Sequence, residues 1–301
     1  MTAGVAVVAA CGSKPGEVAD DGSVTIKHAF GETKIQAPPT RVVSAGFTEQ
    51  DDLLALGVVP IAVTDWFGGE PFAVWPWAQP KLGGAQPVVL SLADGIQVDQ
   101  IASLKPDLIV ATNAGLDQDT YTRLSAIAPT IAQSGQDAFF EPWKDQAATI
   151  GQAVFKHDEM AALIAGVEEK FTTAGTNNPQ FVGKNVLLLE GRLDNDTVQV
   201  VGPAWRTEFL TQMGFTIPVT AGDAIPRDRM AGALGSADLL IWTTESDEEQ
   251  ALLLADPTLG QLKARSMFTG KELAGAIAFA SPLSYLVVAD QLPPGIAKSL
   301  A

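Results

Sequence analysis

Cysteine and histidine are nearly absent from this 301-residue sequence. Cys11 is the single thiol, and His28 and His157 are the only imidazoles. Those counts exclude a disulfide framework, a zinc-thiolate site and a multi-histidine metal cage. Charge is sparse as well, at 18% of residues, and one sign is short: 19 Lys+Arg stand against 35 Asp+Glu, a formal net charge of -16. A surface of that sign repels a phosphate backbone, so nucleic acid is not expected as a partner. Long hydrophobic runs are missing too. The apolar stretch Ala3 to Ala10 covers eight residues, whereas a bilayer core needs about 20. Also absent are Gly-x-Ser-x-Gly, Gly-x-x-x-x-Gly-Lys-Ser/Thr, Gly-x-Gly-x-x-Gly and His-Glu-x-x-His, so no familiar nucleophile, phosphate cradle or zinc-protease helix is on offer.

What is present is ample apolar material, 47% of residues, which excludes disorder for most of the chain and suits two cores at this length. The tetrad Val8-Ala9-Ala10-Cys11 closes the short apolar stretch and resembles the lipobox of bacterial lipoproteins, in which the cysteine is acylated and becomes the mature N-terminus. No Lys or Arg precedes it, so the start of the signal is expected upstream. Residues 1–11 are read as a signal remnant and 12–38 as a tether with a short hairpin near Val24 to Ile35, closed by Pro38-Pro39.

From Arg41 onward, short β-branched runs alternate with helical stretches: Arg41 to Ser44, Glu49 to Leu56, Ile61 to Thr64, Ile96 to Leu104, Asp107 to Ala111. Unalternated runs bounded by turns are strands buried on both faces, hence a parallel sheet covered by helices. The pattern returns. Leu53-Leu54-Ala55-Leu56-Gly57 matches Leu210 to Gly214, and Lys105-Pro106-Asp107-Leu108-Ile109-Val110 matches Ser236-Ala237-Asp238-Leu239-Leu240-Ile241. Between the halves, Trp143 to Ala174 contains no proline and has apolar residues at three- and four-residue steps. A break near Lys156-His157, with Asp158 as N-cap, would leave a second helix of roughly 16 residues, a strut of about 25 Å. The fold expected is α/β: two Rossmann-like lobes with mostly parallel sheets, joined by one long backbone helix. The lobes span 39–142 and 177–301, with connecting helices at 143–176. Both histidines are read as solvated, and Leu193-Asp194-Asn195-Asp196-Thr197 as a hairpin turn in preference to a calcium loop.

Pro39-Thr40-Arg41-Val42-Val43-Ser44, the Leu53 to Gly57 helix, Leu104-Lys105-Pro106-Asp107-Leu108-Ile109, the connecting helix and the second copy of the lobe follow one another in a familiar order. Together they resemble the iron-siderophore, haem and cobalamin substrate-binding proteins of ABC importers, nearest to the ferric-citrate/siderophore type of actinobacteria. The resemblance implies a monomeric, lipid-anchored protein of the periplasm or cell envelope with a shallow interlobe cleft and no cofactor of its own. Its ligand would be a small-molecule iron chelate, a ferric-siderophore complex with haem or cobalamin as alternatives, delivered to an ABC permease dimer. The family pairs an acidic residue on each lobe with the permease. Asp99 and Asp228 stand at the matching positions, as aspartates where glutamate is usual.

Six tryptophans remain to be placed. Trp66, Trp75 and Trp77 crowd an irregular loop with Phe67, Trp205 and Arg206 open a helix, and Trp242 ends a strand. Ligands bind beyond the carboxyl ends of such strands. These residues, with Tyr285, are the candidate ligand contacts, and Arg192 and Arg206 are the cations able to offset a carboxylate or catecholate complex. The competing reading is a two-lobed extracytoplasmic enzyme using a cleft carboxylate such as Asp65 or Glu190. Binding of bare metal lacks the ligands.

Overall fold

The computed structural model describes residues 16–135, 139–218 and 224–301; Cys11 and its tetrad lie outside the described residues. The first strands, β1 (Val24–His28) and β2 (Gly31–Ile35), pair as an antiparallel hairpin. Val24, Ile26 and Ile35 alternate onto one face and share a core with Ala147, Ile150 and Val154. Burying such side chains stabilises by roughly 1.5–3 kcal/mol each, so this hairpin belongs to the body of the first lobe and is not a tether. The same packing corrects the solvated reading of His28. It is buried, its Nε2 lies 2.9 Å from Thr33 Oγ1, and burial pushes it below the usual imidazole value.

The first sheet comprises β3 (Val42–Ser44), β4 (Ala62–Thr64), β5 (Val88–Leu90), β6 (Leu108–Ala111) and β7 (Thr130–Ala132) in the order β5-β4-β3-β6-β7, all parallel. Helices α1 (Glu49–Ala55), α2 (Val98–Ser103) and α3 (Gln118–Ser125) make its crossovers. After α4 (Trp143–Ala153) and α5 (His157–Asn177) comes the second sheet: β8 (Val186–Asp194), β9 (Thr197–Val200), β10 (Ala224–Pro226), β11 (Leu239–Thr243) and β12 (Ser266–Phe268). Its order is β10-β9-β8-β11-β12. The β8, β11 and β12 strands are parallel, while β9 runs antiparallel to both of its neighbours, β8 and β10. The antiparallel edge exists because Asn195 and Asp196, both at positive φ, close a two-residue hairpin. Its helices are α6 (Glu208–Gln212), α7 (Arg227–Gly235), α8 (Asp247–Ala255), α9 (Pro257–Gly260), α10 (Lys271–Phe279) and α11 (Ser284–Ser299).

The internal repeat survives at the level of hydrogen bonds. Asp107 accepts from the backbone N–H of Thr40 (2.8 Å) and Arg41 (2.7 Å), pinning the chain as it enters β3. Asp238 accepts from Asn185 N–H (2.8 Å) as the chain enters β8. Each aspartate clamps the entry of the neighbouring parallel strand, which is why the Asp-Leu-Leu/Ile pattern recurs.

The connecting element breaks near Lys156 as expected, but His157 is the first helical residue and Lys156 takes the N-cap position. Asp158 therefore sits in the first turn, where its charge favours the helix end without capping it. The second helix, at 21 residues, is longer than expected. Its Met160 is part of the first lobe's core and its Val167 and Phe171 part of the second's, with Ile164 packed against both. One rigid rod thus carries side chains of two cores.

The stretch after β4, read from sequence as an irregular loop, forms the joint between lobes. Val74, Ala78 and Leu82 are buried with Leu54 of α1 and Leu283 of the second lobe. The ring of Trp75 lies directly on Gly275 of α10, where an added Cβ would fall 2.3 Å from a ring carbon. Lys271 reaches across to Glu70 (2.6 Å) and to the Gly68 carbonyl (2.7 Å). Gly275→Ala is therefore expected to push α10 off Trp75 and lower stability by about 1–3 kcal/mol, read as an earlier urea midpoint. An unchanged midpoint would show that the joint gives way freely.

Candidate functional site

The carboxyl ends of both sheets face one cleft, a cavity of about 510 Å³, within the usual size range for small-molecule sites. The first lobe supplies an aromatic wall, Trp66, Phe67 and Phe140. Trp66 is held by its neighbours: Phe47 stacks on it at 5.5 Å, Phe67 meets it edge-on at 4.5 Å, and Phe140 and Phe279 lie at 5.2 and 5.5 Å. The second lobe supplies the polar wall. Glu190 and Arg192 come from the second half of β8, Arg206 from the turn before α6, Thr243 from the last position of β11, Glu245 from just beyond it and Glu249 from the first turn of α8, while Ala274, Ile277 and Ala278 of α10 form an apolar floor.

Arg206 is the unusual member. It is only 8% exposed, its Nη1 donates to the Ala278 carbonyl at 3.0 Å, and its guanidinium carbon lies 4.7 Å from the Phe140 ring centre and 4.9 Å from that of Trp205. Among the described residues it makes no ion pair. Burial pushes it down from its ordinary value, opposed by Tyr285 nearby, although a guanidinium stays charged under such a shift. A desolvated cation held between aromatic faces and opening on a cavity is a site for an electronegative ligand atom.

Of the candidates from sequence, Trp66, Phe67, Arg192 and Arg206 line the cavity. Trp205 stands behind the wall, half-buried against Arg206. Trp77 also stands behind, its Nε1 donating to Asp51 Oδ2 at 2.8 Å. Three assignments need correction, since Trp75, Trp242 and Tyr285 are each 1% exposed. Trp75 is the wedge on Gly275. Trp242 points from β11 into the second lobe's core and donates its Nε1 to Ser266 Oγ at 3.2 Å. Tyr285 packs edge-on against Trp143 and Phe171, and burial pushes its unpartnered hydroxyl above the ordinary range. Asp65 is exposed and does not line the cavity, whereas Glu190 does. Neither histidine reaches the cleft, and no cluster of three or more metal-ligating side chains occurs among the described residues. Sequence reasoning missed Phe140, Glu245 and Glu249. Glu245 lies just past the end of β11, by the same strand-end rule that had pointed to Trp242, and Glu249 follows in the first turn of α8.

Behind the aromatic wall lies a second polar feature. Glu49, Asp51 and Asp52 in the first turn of α1 are all buried. Glu49 accepts from Asn113 N–H (2.8 Å), Asp52 from Gln146 Nε2 (2.8 Å), and Asp51 from Trp77 Nε1 and from Ser281 Oγ (2.6 Å) of the opposite lobe. Burial pushes Glu49 up to about 7 and Asp51 up to about 6, and it raises Asp52 further with help from its carboxylate neighbours. Groups raised in the native state lend stability that is complete below their unfolded values near 4 and is lost as pH rises through 6 to 7. Stability is therefore expected to fall between about pH 4 and 7, by roughly 3 kcal/mol for Asp51 alone over its full window. His28, lowered by burial, works weakly the other way. Asp51→Asn should flatten the difference curve in thermal unfolding, and a wild-type curve that rises over this window would refute the assignment.

A two-lobed α/β body with a preformed cleft at the carboxyl ends of its two sheets is the architecture of a solute-binding protein. Residues 42–266 match the periplasmic binding protein family, and the chain belongs to it. The chain is 66% identical to a periplasmic solute binding protein from Mycobacterium smegmatis whose crystal structure is known, with a TM-score of 0.91 over 94% of this chain and 100% of that one. It is 31% identical to the putative ABC transporter substrate-binding lipoprotein YhfQ of Bacillus subtilis, over 72% of this chain and 66% of the relative. A probable siderophore-binding lipoprotein of the same organism, YfiY, is 31% identical over 55% of this chain and 50% of its own length. The chain thus spans between half and two thirds of these two curated relatives.

Proposed function

We propose that this protein is an extracytoplasmic, lipid-anchored binding protein that holds a ferric-siderophore complex between its lobes and hands it to an ABC permease, with no reaction of its own. The observation that carries the reading is Arg206: a buried cation without a carboxylate partner among the described residues, set between aromatic rings and open to the cavity. The organic shell of a siderophore suits flat rings on one wall, and its oxygen donors suit a guanidinium on the other. The names borne by the relatives, lipoprotein and siderophore-binding, support the same assignment. Haem finds no imidazole at the cleft, and no observation favours an enzyme over retention of the ligand.

Asp99 and Asp228 serve in this reading as the permease contacts. Each is the second residue of its helix, α2 and α7, each is exposed, and one lies on each lobe. A two-lobed protein meeting a two-fold permease needs one such contact per lobe. Anchoring is assigned to acylated Cys11, with more than one chain needed to hold.

Tryptophan-fluorescence titration with ferric siderophores tests the binding role. Trp66→Ala is expected to weaken binding by about 1–3 kcal/mol with little change in melting temperature. Trp242→Ala should do the reverse, lowering stability by roughly 3–5 kcal/mol and sparing affinity. Equal affinity in Trp66→Ala and wild type would remove the aromatic wall from the site. For docking, Asp99→Ala and Asp228→Ala should leave binding intact and reduce cellular uptake, the double variant more than either single one. Normal uptake by the double variant would overturn the docking role and leave binding untouched.

A further inference from the structure

The polar wall of the cleft carries more than arginines, and its balance of charge bears on which iron complex fits. Two cations, Arg192 and Arg206, face the cavity together with three carboxylates, Glu190, Glu245 and Glu249. Glu190 and Arg192 lie two residues apart in the irregular second half of β8, both line the cavity, and their charges offset each other at a distance. Glu249 is engaged locally: its carboxylate takes the Glu245 N–H while its own N–H bonds to Ser246 Oγ, a reciprocal cap on α8. Glu245 has an exposed side chain just past β11 and makes no ion pair among the described residues. The cleft therefore holds at least as much negative as positive charge, within a chain whose net formal charge is -16.

We infer that the site selects ferric complexes that are neutral or cationic overall, with iron held by monoanionic bidentate donors such as hydroxamates, over polyanionic tris-catecholate and citrate complexes. This inference rests on the siderophore-binding reading and narrows it. It also reverses the expectation that the arginines serve to offset an anionic complex. A polyanion would place its charge beside three carboxylates in a partly enclosed cavity, where like charges repel more strongly than in water. A neutral complex avoids that repulsion and still satisfies Arg206, whose N–H groups need only an electronegative oxygen as acceptor. The aromatic wall accepts the organic shell in either case, so charge is the discriminating property.

The test is a quenching titration of the wild-type protein with ferrioxamine (cationic), ferrichrome (neutral), ferric enterobactin (polyanionic) and ferric dicitrate (polyanionic) at low and high salt. The first two are expected to bind about tenfold tighter or more than the last two, with the gap narrowing as salt is raised. In Glu190→Gln/Glu245→Gln, which leaves the α8 cap intact, the polyanionic complexes should gain affinity and ferrioxamine lose it. Tighter or equal binding of the polyanionic complexes by the wild type would overturn the charge inference while upholding siderophore binding. Failure to bind any of the four would overturn the reading beneath it.

Discussion

The cleft depends on a carboxyl group that takes one hydrogen bond from each lobe. Asp51 Oδ2 accepts from Trp77 on the first-lobe side and from Ser281 on the second. The group is buried, so neither bond competes with bulk water and loss of either leaves a polar atom unsatisfied. Among the described residues Asp51 Oδ1 already lacks a partner, as does Oδ1 of Asp52 beside it. Burial favours the uncharged acid, while the two accepted hydrogen bonds oppose that shift and tie the lobes together. Around it the joint is apolar and close-packed, with Trp75 against Gly275 on one side and Leu283 among first-lobe side chains on another. The distance between the two sheet ends is therefore set by a filled interface and by α5, whose side chains belong to both cores.

Much of this architecture was legible in the sequence because it follows from local rules. Strands buried on both faces cannot alternate, so Leu108 to Ala111 and Leu239 to Thr243 declared themselves. The aspartates ahead of them recur because each clamps a strand entry. What escaped has a common cause, namely contacts between residues far apart in the chain. Val24, Ile26 and Ile35 read as a loose hairpin until Ile150 of α4 covers them. The Gly/Pro-broken stretch holding Trp75 read as an irregular loop because its order comes from the opposite lobe rather than from its own periodicity. Asp158 looked like a cap, and only backbone geometry reveals that the cap falls two residues earlier, at Lys156.

The site was legible in its place and only partly in its members. The strand-end rule located the cleft, and the aromatic loop and Arg206 fell on its walls. Trp242 illustrates the limit of the rule. Side chains alternate along a strand, so a residue near the end of β11 can face a helix layer as readily as the cavity, and a bulky apolar ring goes to the core. Polar residues just past the strand, such as Glu245, have no core to enter and remain at the opening. Tyr285 fails for another reason: sequence does not say which helices sandwich it, and Trp143, Phe171 and Phe209 close around it.

These two halves of the structure constrain each other. Because the lobes share a packed joint, the cavity exists before any ligand arrives, and association does not have to assemble it. A preformed cavity discriminates poorly by closing around its guest. Selectivity then falls to groups already fixed in the walls, and the most strongly fixed is Arg206, held by a backbone carbonyl on one side and by two rings on the others. Such a cation fixes where an acceptor oxygen lands, and the carboxylates beside it on the polar wall limit how much negative charge can accompany it. Position and tolerated charge are thus set by separate residues on the polar wall, while the aromatic wall opposite stays indifferent to both.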